Sequence, residues 1–127
     1  MKLTSLIIAL GLLAAPSVHA NQPYIVMDGY RVDSQTYNGF RLFRNWCARC
    51  HGTFAQGLAG PSLAENLNRI GKMQFMEIVE NGKTGQYGVM PAWSSNTQVM
   101  AGREDIYRYL KARADGVLGE VRPELAQ

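Results

Sequence analysis

Residues 47–51 read Cys47-Ala48-Arg49-Cys50-His51 and contain the only two cysteines of the sequence. Cys-x-x-Cys-His is the attachment signature of a c-type haem. Two residues between the thiols allow both sulfurs to reach the two vinyl groups of one porphyrin and form thioethers. The next residue then directs its imidazole at the iron. The sequence therefore predicts one covalently bound haem c, with Cys47 and Cys50 as thioethers and His51 as an axial ligand.

Three other kinds of site use paired cysteines, and the surroundings of this motif disfavour each of them. A thioredoxin-like redox pair requires a βαβ setting, and the sequence shows no alternating strand pattern. A zinc site needs four ligands. The chain offers Cys47, Cys50 and His51, and its only other histidine, His19, lies in an N-terminal segment that is predicted below to be removed. A disulfide across so small a loop would stabilise the fold little, because disulfide stabilisation grows with loop length.

The N-terminus is typical of an export signal that is removed from the mature protein. Lys2 supplies the positive charge, Leu3 to Leu13 form an apolar run, and Val18-His19-Ala20 is a small-x-small cleavage site. The alternative is a membrane anchor, but the apolar run is shorter than the roughly 20 residues that a spanning helix needs. We therefore predict a signal peptide over residues 1–20, no membrane anchor, and an exported mature protein that begins at Asn21.

Composition and charge exclude some classes of function. The chain has 127 residues, 46% of them hydrophobic, which predicts a single globular domain. Thirteen Lys and Arg against ten Asp and Glu give a net charge of +3, and removal of Lys2 leaves twelve against ten. This excess is too small and too scattered for a nucleic-acid-binding protein, which needs a basic stripe.

Apolar residues recur at three- and four-residue spacing in several segments, which predicts an all-α fold with long loops. The predicted helices cover residues 35–48, 62–70, 73–81 and 103–114. Asp33 or Ser34 is expected to cap the first helix, and Gly82 to end the third. The loops between helices and the tail after residue 114 are expected to be irregular. Loops this long are uncommon in a compact domain, and a large apolar cofactor at its centre accounts for them.

The second axial ligand has to be chosen from few candidates, because His51 is the only histidine after the predicted cleavage site. The position falls to a methionine, a lysine, water or nothing. Met90 is the preferred candidate because it lies in a loop and Pro91 fixes the backbone beside it. Met100 is the second candidate. The remaining methionines are expected to serve packing: Met27, Met73 and Met76.

Around these residues the chain resembles the class I cytochromes c. Gly39 and Phe43 precede the haem motif as a glycine and an aromatic residue do in that family's first helix, and residues 103–111 are similar to its last helix. The resemblance implies a cytochrome c-like fold over residues 35–127, preceded by an extended segment over residues 21–34. Long loops would then wrap around one covalently bound haem.

The family's first and last helices cross nearly at right angles. By this resemblance Gly39 allows the two backbones to approach closely. Three apolar side chains would fill the crossing: Phe43, Ile106 and Tyr109.

Three smaller features are expected to complete the haem pocket. Gly60-Pro61 resembles the family's loop whose proline carbonyl accepts a hydrogen bond from the proximal histidine, which would fix the tautomer of His51 and increase its basicity. Trp46 and Trp93 flank the two haem-linked segments and are expected to pack against the porphyrin, with Trp93 within reach of a propionate. Arg49 is expected to be exposed beside the haem edge.

Most of the predicted mature chain is similar to the cytochromes that serve PQQ-dependent (quinoprotein) alcohol dehydrogenases. The similarity lies in four segments: Gly29–Asp33, Thr36–Gly39, Val89–Trp93 and Tyr109–Gly116. It implies a periplasmic protein that accepts single electrons from a methanol or ethanol dehydrogenase and passes them to a terminal oxidase or another cytochrome. Some of these cytochromes carry two further cysteines, one soon after the axial methionine, and this chain has none there.

The expected function is thus that of a soluble, monomeric electron-transfer protein rather than an enzyme. One alternative is a haem enzyme or gas sensor, such as a peroxidase, which needs an open iron and distal polar groups. Met90-Pro91 and the lack of a distal histidine disfavour it. A second alternative is a cytochrome subunit that stays bound to a dehydrogenase, and the sequence leaves it open.

Overall fold

A computed structural model describes residues 21–86 and 88–127, so the predicted signal peptide lies outside the described residues. The helices are α1 (Ser34–Trp46), α2 (Ala48–His51), α3 (Leu63–Asn66), α4 (Lys72–Asn81) and α5 (Thr97–Ala114). The strands are β1 (Val26–Met27), β2 (Arg31–Val32), β3 (Lys83–Gly85), β4 (Gly88–Met90) and β5 (Glu124–Leu125). Within this part of the chain, no helix has the length and apolarity to cross a bilayer.

The mostly helical class is confirmed, but the prediction of irregular loops without strands was wrong. β1 pairs antiparallel with β2, and β5 from the tail joins β2 in parallel, which places Leu125 beside Val32. β3 and β4 form an antiparallel hairpin in which Lys83 lies opposite Met90. Strands of two or three residues are too short to leave an alternating pattern in the sequence.

The helix bounds agree with the sequence where the apolar face is regular. α4 lies close to its prediction and ends at Gly82, which has a φ of +76°. α5 begins at Thr97 instead of Arg103, because the Asn96 side chain accepts the Val99 N–H at 3.0 Å and caps an earlier start. α3 is a single turn rather than the longer helix predicted over 62–70.

The core lies where α1 packs against α5. Phe43 and Tyr109 are fully buried, with their ring centroids 5.3 Å apart, and Ile106 is 1% exposed. Burial of each large apolar side chain contributes about 1.5–3 kcal/mol. The three side chains expected between the two helices are therefore in the core, while the near-right-angle crossing stays a prediction.

Two glycines allow α1 and α5 to approach this closely. A Cβ atom on Gly39 would lie 1.8 Å from the carbonyl oxygen of Asp105, so the backbone of α5 occupies the space of a side chain. A Cβ atom on Gly102 would lie 2.1 Å from Cδ1 of Leu42. The close approach at Gly39 was expected from the family resemblance, whereas no pattern in the sequence predicted the one at Gly102.

Asp33, and not Ser34, is the residue that caps the start of α1. Its carboxylate accepts the N–H groups of Gln35 and Thr36 at 3.0 Å each, the Thr36 hydroxyl at 2.6 Å and the Ile25 N–H at 2.7 Å. Burial acts to raise the pKa of Asp33, but these hydrogen bonds outweigh it and hold the pKa below its usual value. Asp33 thus caps α1 and fastens the N-terminal segment to it.

Replacing Asp33 with alanine is expected to lower the free energy of unfolding by about 1 kcal/mol at neutral pH, because the cap is lost. The wild-type advantage should be complete above the ordinary aspartate pKa of about 3.9 and should disappear as the pH falls through the lower folded-state pKa. Denaturant unfolding of both proteins across this range measures the difference. Glu77→Ala, which removes an exposed carboxylate from α4, is the control. A difference that stayed constant with pH would contradict the assignment.

Candidate functional site

The Cys-x-x-Cys-His motif lies at the junction of α1 and α2. The N–H groups of Cys50 and His51 both reach the Cys47 carbonyl, at 3.1 and 3.0 Å, so the motif forms a single helical turn. Residues three apart share a helix face, which places both thiols on the same side. Cys47 is partly buried, Cys50 is exposed, and His51 is 6% exposed.

The environment of Cys47 disfavours thiol chemistry. Burial, reinforced by the neighbouring Cys50, raises the pKa of the Cys47 thiol to about 12. Redox-active cysteine pairs instead need a lowered thiol pKa, since the thiolate is the reactive form. The raised pKa of Cys47 therefore weighs against a thioredoxin-like redox pair.

The loop after the motif contacts the Nδ1 side of the His51 imidazole. Nδ1 of His51 lies 2.8 Å from the Pro61 carbonyl oxygen, which is the contact expected of Pro61. Because a carbonyl only accepts, Nδ1 carries the proton, and Nε2 keeps the lone pair that can bind a metal. A Cβ atom on Gly60 would lie 2.9 Å from Cε1 and 3.1 Å from Nδ1 of His51. Glycine at this position thus allows the loop to close on the ring.

The backbone on both sides of Met90 is anchored to the end of α4. Met90 pairs with Lys83 in the hairpin, and the Trp93 N–H donates to the Val79 carbonyl at 3.0 Å. A Cβ atom on Gly82 would lie 2.6 Å from the Met90 carbonyl oxygen, so Gly82 is needed for this close approach as well as for its positive φ. The partly buried Met90 side chain is therefore carried by a fixed segment.

The other methionines occupy different environments. Met100 lies in the first turn of α5, and Met76 is partly buried against the core. Met73 is 83% exposed and Met27 is 39% exposed. The expectation that Met73 packs in the core was wrong: the buried face of α4 is set by Phe75 and Val79, and a residue two positions before Phe75 lies on the opposite side of the helix.

Trp46 and Trp93 connect the cysteine segment to the methionine segment. Their ring centroids are 5.8 Å apart and their planes are inclined by 67°. Edge-to-face pairs of this kind contribute about 0.5–1.5 kcal/mol beyond their burial. Both rings were expected to pack against the haem, but their contact with each other was not predicted, because nothing in the local sequence links the two residues.

The donors at this site fit a c-type haem. They comprise two thiols on one helical turn, an imidazole with a free Nε2 and a thioether on an anchored segment. Large apolar side chains in the same segments are exposed in the polypeptide alone: Trp46 at 37%, Leu58 at 75% and Val89 at 72%. A large apolar cofactor bound against these segments would account for the exposure of the three side chains.

Comparison with known proteins gives consistent matches over this fold. Residues 34–110 match the family described as subunit III of the cbb3-type cytochrome c oxidase. Cytochrome c-555 of Methylococcus capsulatus (strain Bath) is 35% identical over 113 residues, which cover 87% of this chain and 80% of that protein.

Two solved structures share the fold. The c-type cytochrome XoxG of Methylobacterium extorquens AM1 has a TM-score of 0.75 and 38% identity, with 82% of this chain and 67% of that chain covered. Cytochrome CL of the marine methylotrophic bacterium Methylophaga aminisulfidivorans has a TM-score of 0.55, with 75% of this chain and 71% of that chain covered. Its identity is 20%, so this second likeness concerns the fold alone.

Proposed function

The chain belongs to the class I c-type cytochromes, an electron-carrying family that binds haem c, and on that premise we propose that it shuttles single electrons from a PQQ-dependent alcohol dehydrogenase. The acceptor is a terminal oxidase or another cytochrome. The observation that carries this proposal is the pair of anchored candidate ligands. His51 is hydrogen-bonded to the Pro61 carbonyl, and Gly60 lies against its ring. Gly82 lies against the backbone of Met90, and the contact of Trp46 with Trp93 joins the two segments.

We assign Cys47 and Cys50 as the thioethers and His51 and Met90 as the axial ligands. When bound, the haem supplies an iron that gains and loses one electron without any bond being made or broken. With His51 and Met90 both bound, the iron would have no coordination position for a substrate, so the residues favour electron transfer over catalysis. The Pro61 hydrogen bond makes the imidazole a stronger donor, whereas a thioether ligand raises the reduction potential. Trp93 is assigned to packing against the haem.

The exported form follows from the leader pattern. We propose that residues 1–20 are removed and that the mature protein, beginning at Asn21, acts in the periplasm as a monomer without a membrane anchor. Residues 21–34 would then precede the cytochrome domain of residues 35–127. Export fits the proposed cofactor, because haem is attached to Cys-x-x-Cys-His motifs outside the cytoplasm.

The proposed electron donor is inferred from the similarity to the cytochromes of quinoprotein dehydrogenases. Two of the similar segments contain residues that are important in this fold. Val89–Trp93 contains the proposed ligand Met90, and Gly29–Asp33 contains strand β2 and the cap of α1. Stopped-flow mixing of the ferric protein with a quinoprotein methanol dehydrogenase and methanol tests it. We expect fast haem reduction that requires the alcohol. No reduction by methanol- or ethanol-oxidising enzymes, from protein that dithionite reduces normally, would overturn this donor and leave a general carrier.

Charge around the haem motif indicates which face meets the donor. No Asp or Glu occurs from Thr36 to Ala64, while Arg41, Arg44 and Arg49 are all exposed there. Most cations elsewhere have a carboxylate within 4.0 Å: Arg31, Arg69, Lys72, Arg103, Arg108, Lys111 and Arg113. Lys83 and Arg122 are the exceptions among the described residues. Among residues 21–86 and 88–127, none of the three exposed arginines has such a carboxylate. Arg49 directly precedes the exposed Cys50, and the unpaired positive charge of these three residues around the motif fits an acidic partner surface.

Replacing Arg41, Arg44 and Arg49 together with glutamine is expected to slow reduction by the dehydrogenase roughly tenfold at low salt and to flatten the salt dependence. Arg122→Gln removes an equally exposed cation from the tail and should leave both unchanged. Oxidation of the ferrous protein by ferricyanide, a small anion, reports the same field without the enzyme. A triple variant with wild-type salt dependence toward both reagents would contradict the assigned face.

The remaining alternative is a cytochrome subunit that stays bound to its dehydrogenase. Gel filtration of the purified pair at physiological salt distinguishes the two cases. A shuttle is expected to elute separately from the enzyme, whereas a single species containing both proteins would identify a permanent subunit.

A further inference from the structure

Arg113, in the last turn of α5, is an almost completely buried cation that connects three parts of the chain. It is 8% exposed, and its Nε donates to the Phe54 carbonyl at 2.8 Å while Nη1 donates to the Leu118 carbonyl at 2.7 Å. Its ion pair with Glu120 is long, at 3.8 Å, and Glu120 is 61% exposed, so that pair contributes little. The guanidinium therefore acts mainly by fixing two backbone carbonyls.

The carbonyl that Arg113 holds belongs to a strained part of the loop after the haem motif. Phe54 C=O and Ala55 N–H form one peptide unit, and Ala55 has a φ of +63°, in the left-handed region that residues with a Cβ atom avoid. Ala55 is fully buried. Such a conformation persists only where surrounding contacts enforce it. Two hydrogen bonds hold the peptide on the N-terminal side of Ala55: its N–H donates to the Gly52 carbonyl at 3.1 Å, and its carbonyl accepts from Arg113.

Hydrogen bonds continue from Ala55 to the imidazole of His51. The Ala55 carbonyl accepts the N–H groups of Leu63 and Ala64, at 2.9 and 3.1 Å, which hold the chain immediately after Pro61. The Pro61 carbonyl in turn lies 2.8 Å from Nδ1 of His51. A rotation of the 54–55 peptide would therefore displace the acceptor of the His51 hydrogen bond.

We propose that Arg113 is a positioning residue for His51: by holding Ala55 in its left-handed conformation, it sets the hydrogen bond between the Pro61 carbonyl and the imidazole. The consequence for electron transfer rests on the proposed function, in which His51 binds the haem iron. A weaker hydrogen bond makes the imidazole a poorer donor to ferric iron, so loss of Arg113 raises the reduction potential.

Arg113→Met and Arg108→Met form a matched pair that tests this role. Both remove a guanidinium from α5 that donates to a backbone carbonyl, but Arg108 donates to Pro23, in the N-terminal segment rather than the loop. We expect Arg113→Met to raise the reduction potential and to shift the NMR signal of the His51 Nδ1 proton. Arg108→Met should change neither, although both variants are expected to be less stable than wild type.

Ala55→Gly provides a rescue that a merely structural role would not show. Glycine adopts a positive φ without strain, so removing Arg113 in the Ala55→Gly background should shift the potential and the His51 signal less. Arg113→Lys replaces Arg113→Met if the latter does not fold, because a lysine has its donors on one nitrogen and cannot reproduce the fork in which Nε and Nη1 reach two carbonyls.

Unchanged potential and His51 signal in the folded Arg113 variant would overturn the proposal. Shifts of equal size with and without Ala55→Gly would also overturn it. Failure of the proposed function is distinguishable, because His51 would then show no paramagnetic shift in any variant, including the wild type.

Discussion

Met90→Ala is expected to lower the reduction potential and to open the sixth coordination position of the iron. Axial ligands set haem potentials over a span of about 0.8 V, so loss of a thioether should lower the potential by on the order of 0.1–0.3 V. The fold should tolerate the change, because Gly82 and the backbone bond from Trp93 to Val79 anchor the segment without using the Met90 side chain. Potentiometric titration measures the shift, and the absorption spectrum of the ferric protein reports the change from low to high spin.

Met100→Ala is the matched control for this prediction. Met100 was the second candidate for the axial ligand. It lies in the first turn of α5, where its backbone N–H donates to the Asn96 carbonyl at 2.9 Å. The variant should keep the wild-type potential and spin state. If Met100→Ala produced the fall in potential and Met90→Ala did not, the axial assignment would move to Met100.

Among the glycines of residues 21–86 and 88–127, Gly39 is expected to be the one whose replacement by alanine destabilises the protein most. The new Cβ atom would lie 1.8 Å from the Asp105 carbonyl oxygen, and a backbone atom cannot rotate away. The helices α1 and α5 would have to separate, which weakens the packing of Phe43 on Tyr109. We expect a loss of more than about 3 kcal/mol, above the usual range for an overpacked core.

Two further glycines give the scale for this effect. Gly102→Ala meets Cδ1 of Leu42, the end of a flexible side chain, so we expect a cost of about 1–3 kcal/mol. Gly119→Ala meets nothing within 4 Å and should be nearly neutral. Urea unfolding of the three holoproteins measures the order. If Gly39→Ala had the same free energy of unfolding as Gly119→Ala, the close approach of the two helices would be disproved.

The elements that the sequence predicted well are those whose signals are local. Residues 47–51 contain the complete haem attachment motif, and Asp33 caps the helix that directly follows it. α4 has a regular apolar face and is followed by Gly82. The contact of Pro61 with His51 was expected only through the family resemblance, since nothing in the spacing of the two residues requires it.

The features that were missed depend on contacts between distant parts of the chain. β5 forms only because the tail returns to β2, and the pairing of Trp46 with Trp93 requires the hairpin to reach the end of α1. Arg113 looks like any basic residue near a helix C-terminus until the Phe54 carbonyl is seen beside it. No local sequence pattern predicts a buried guanidinium or an alanine in the left-handed conformation.

Carbon monoxide binding to the ferrous wild-type protein tests most directly whether His51 and Met90 close the iron and so make the protein an electron carrier. The wild type should bind carbon monoxide slowly or not at all at neutral pH, because Met90 must first leave the iron, whereas Met90→Ala should bind it quickly. A wild-type protein that binds carbon monoxide as quickly as the variant would have an open iron. That result would contradict the carrier and favour a haem enzyme or gas sensor.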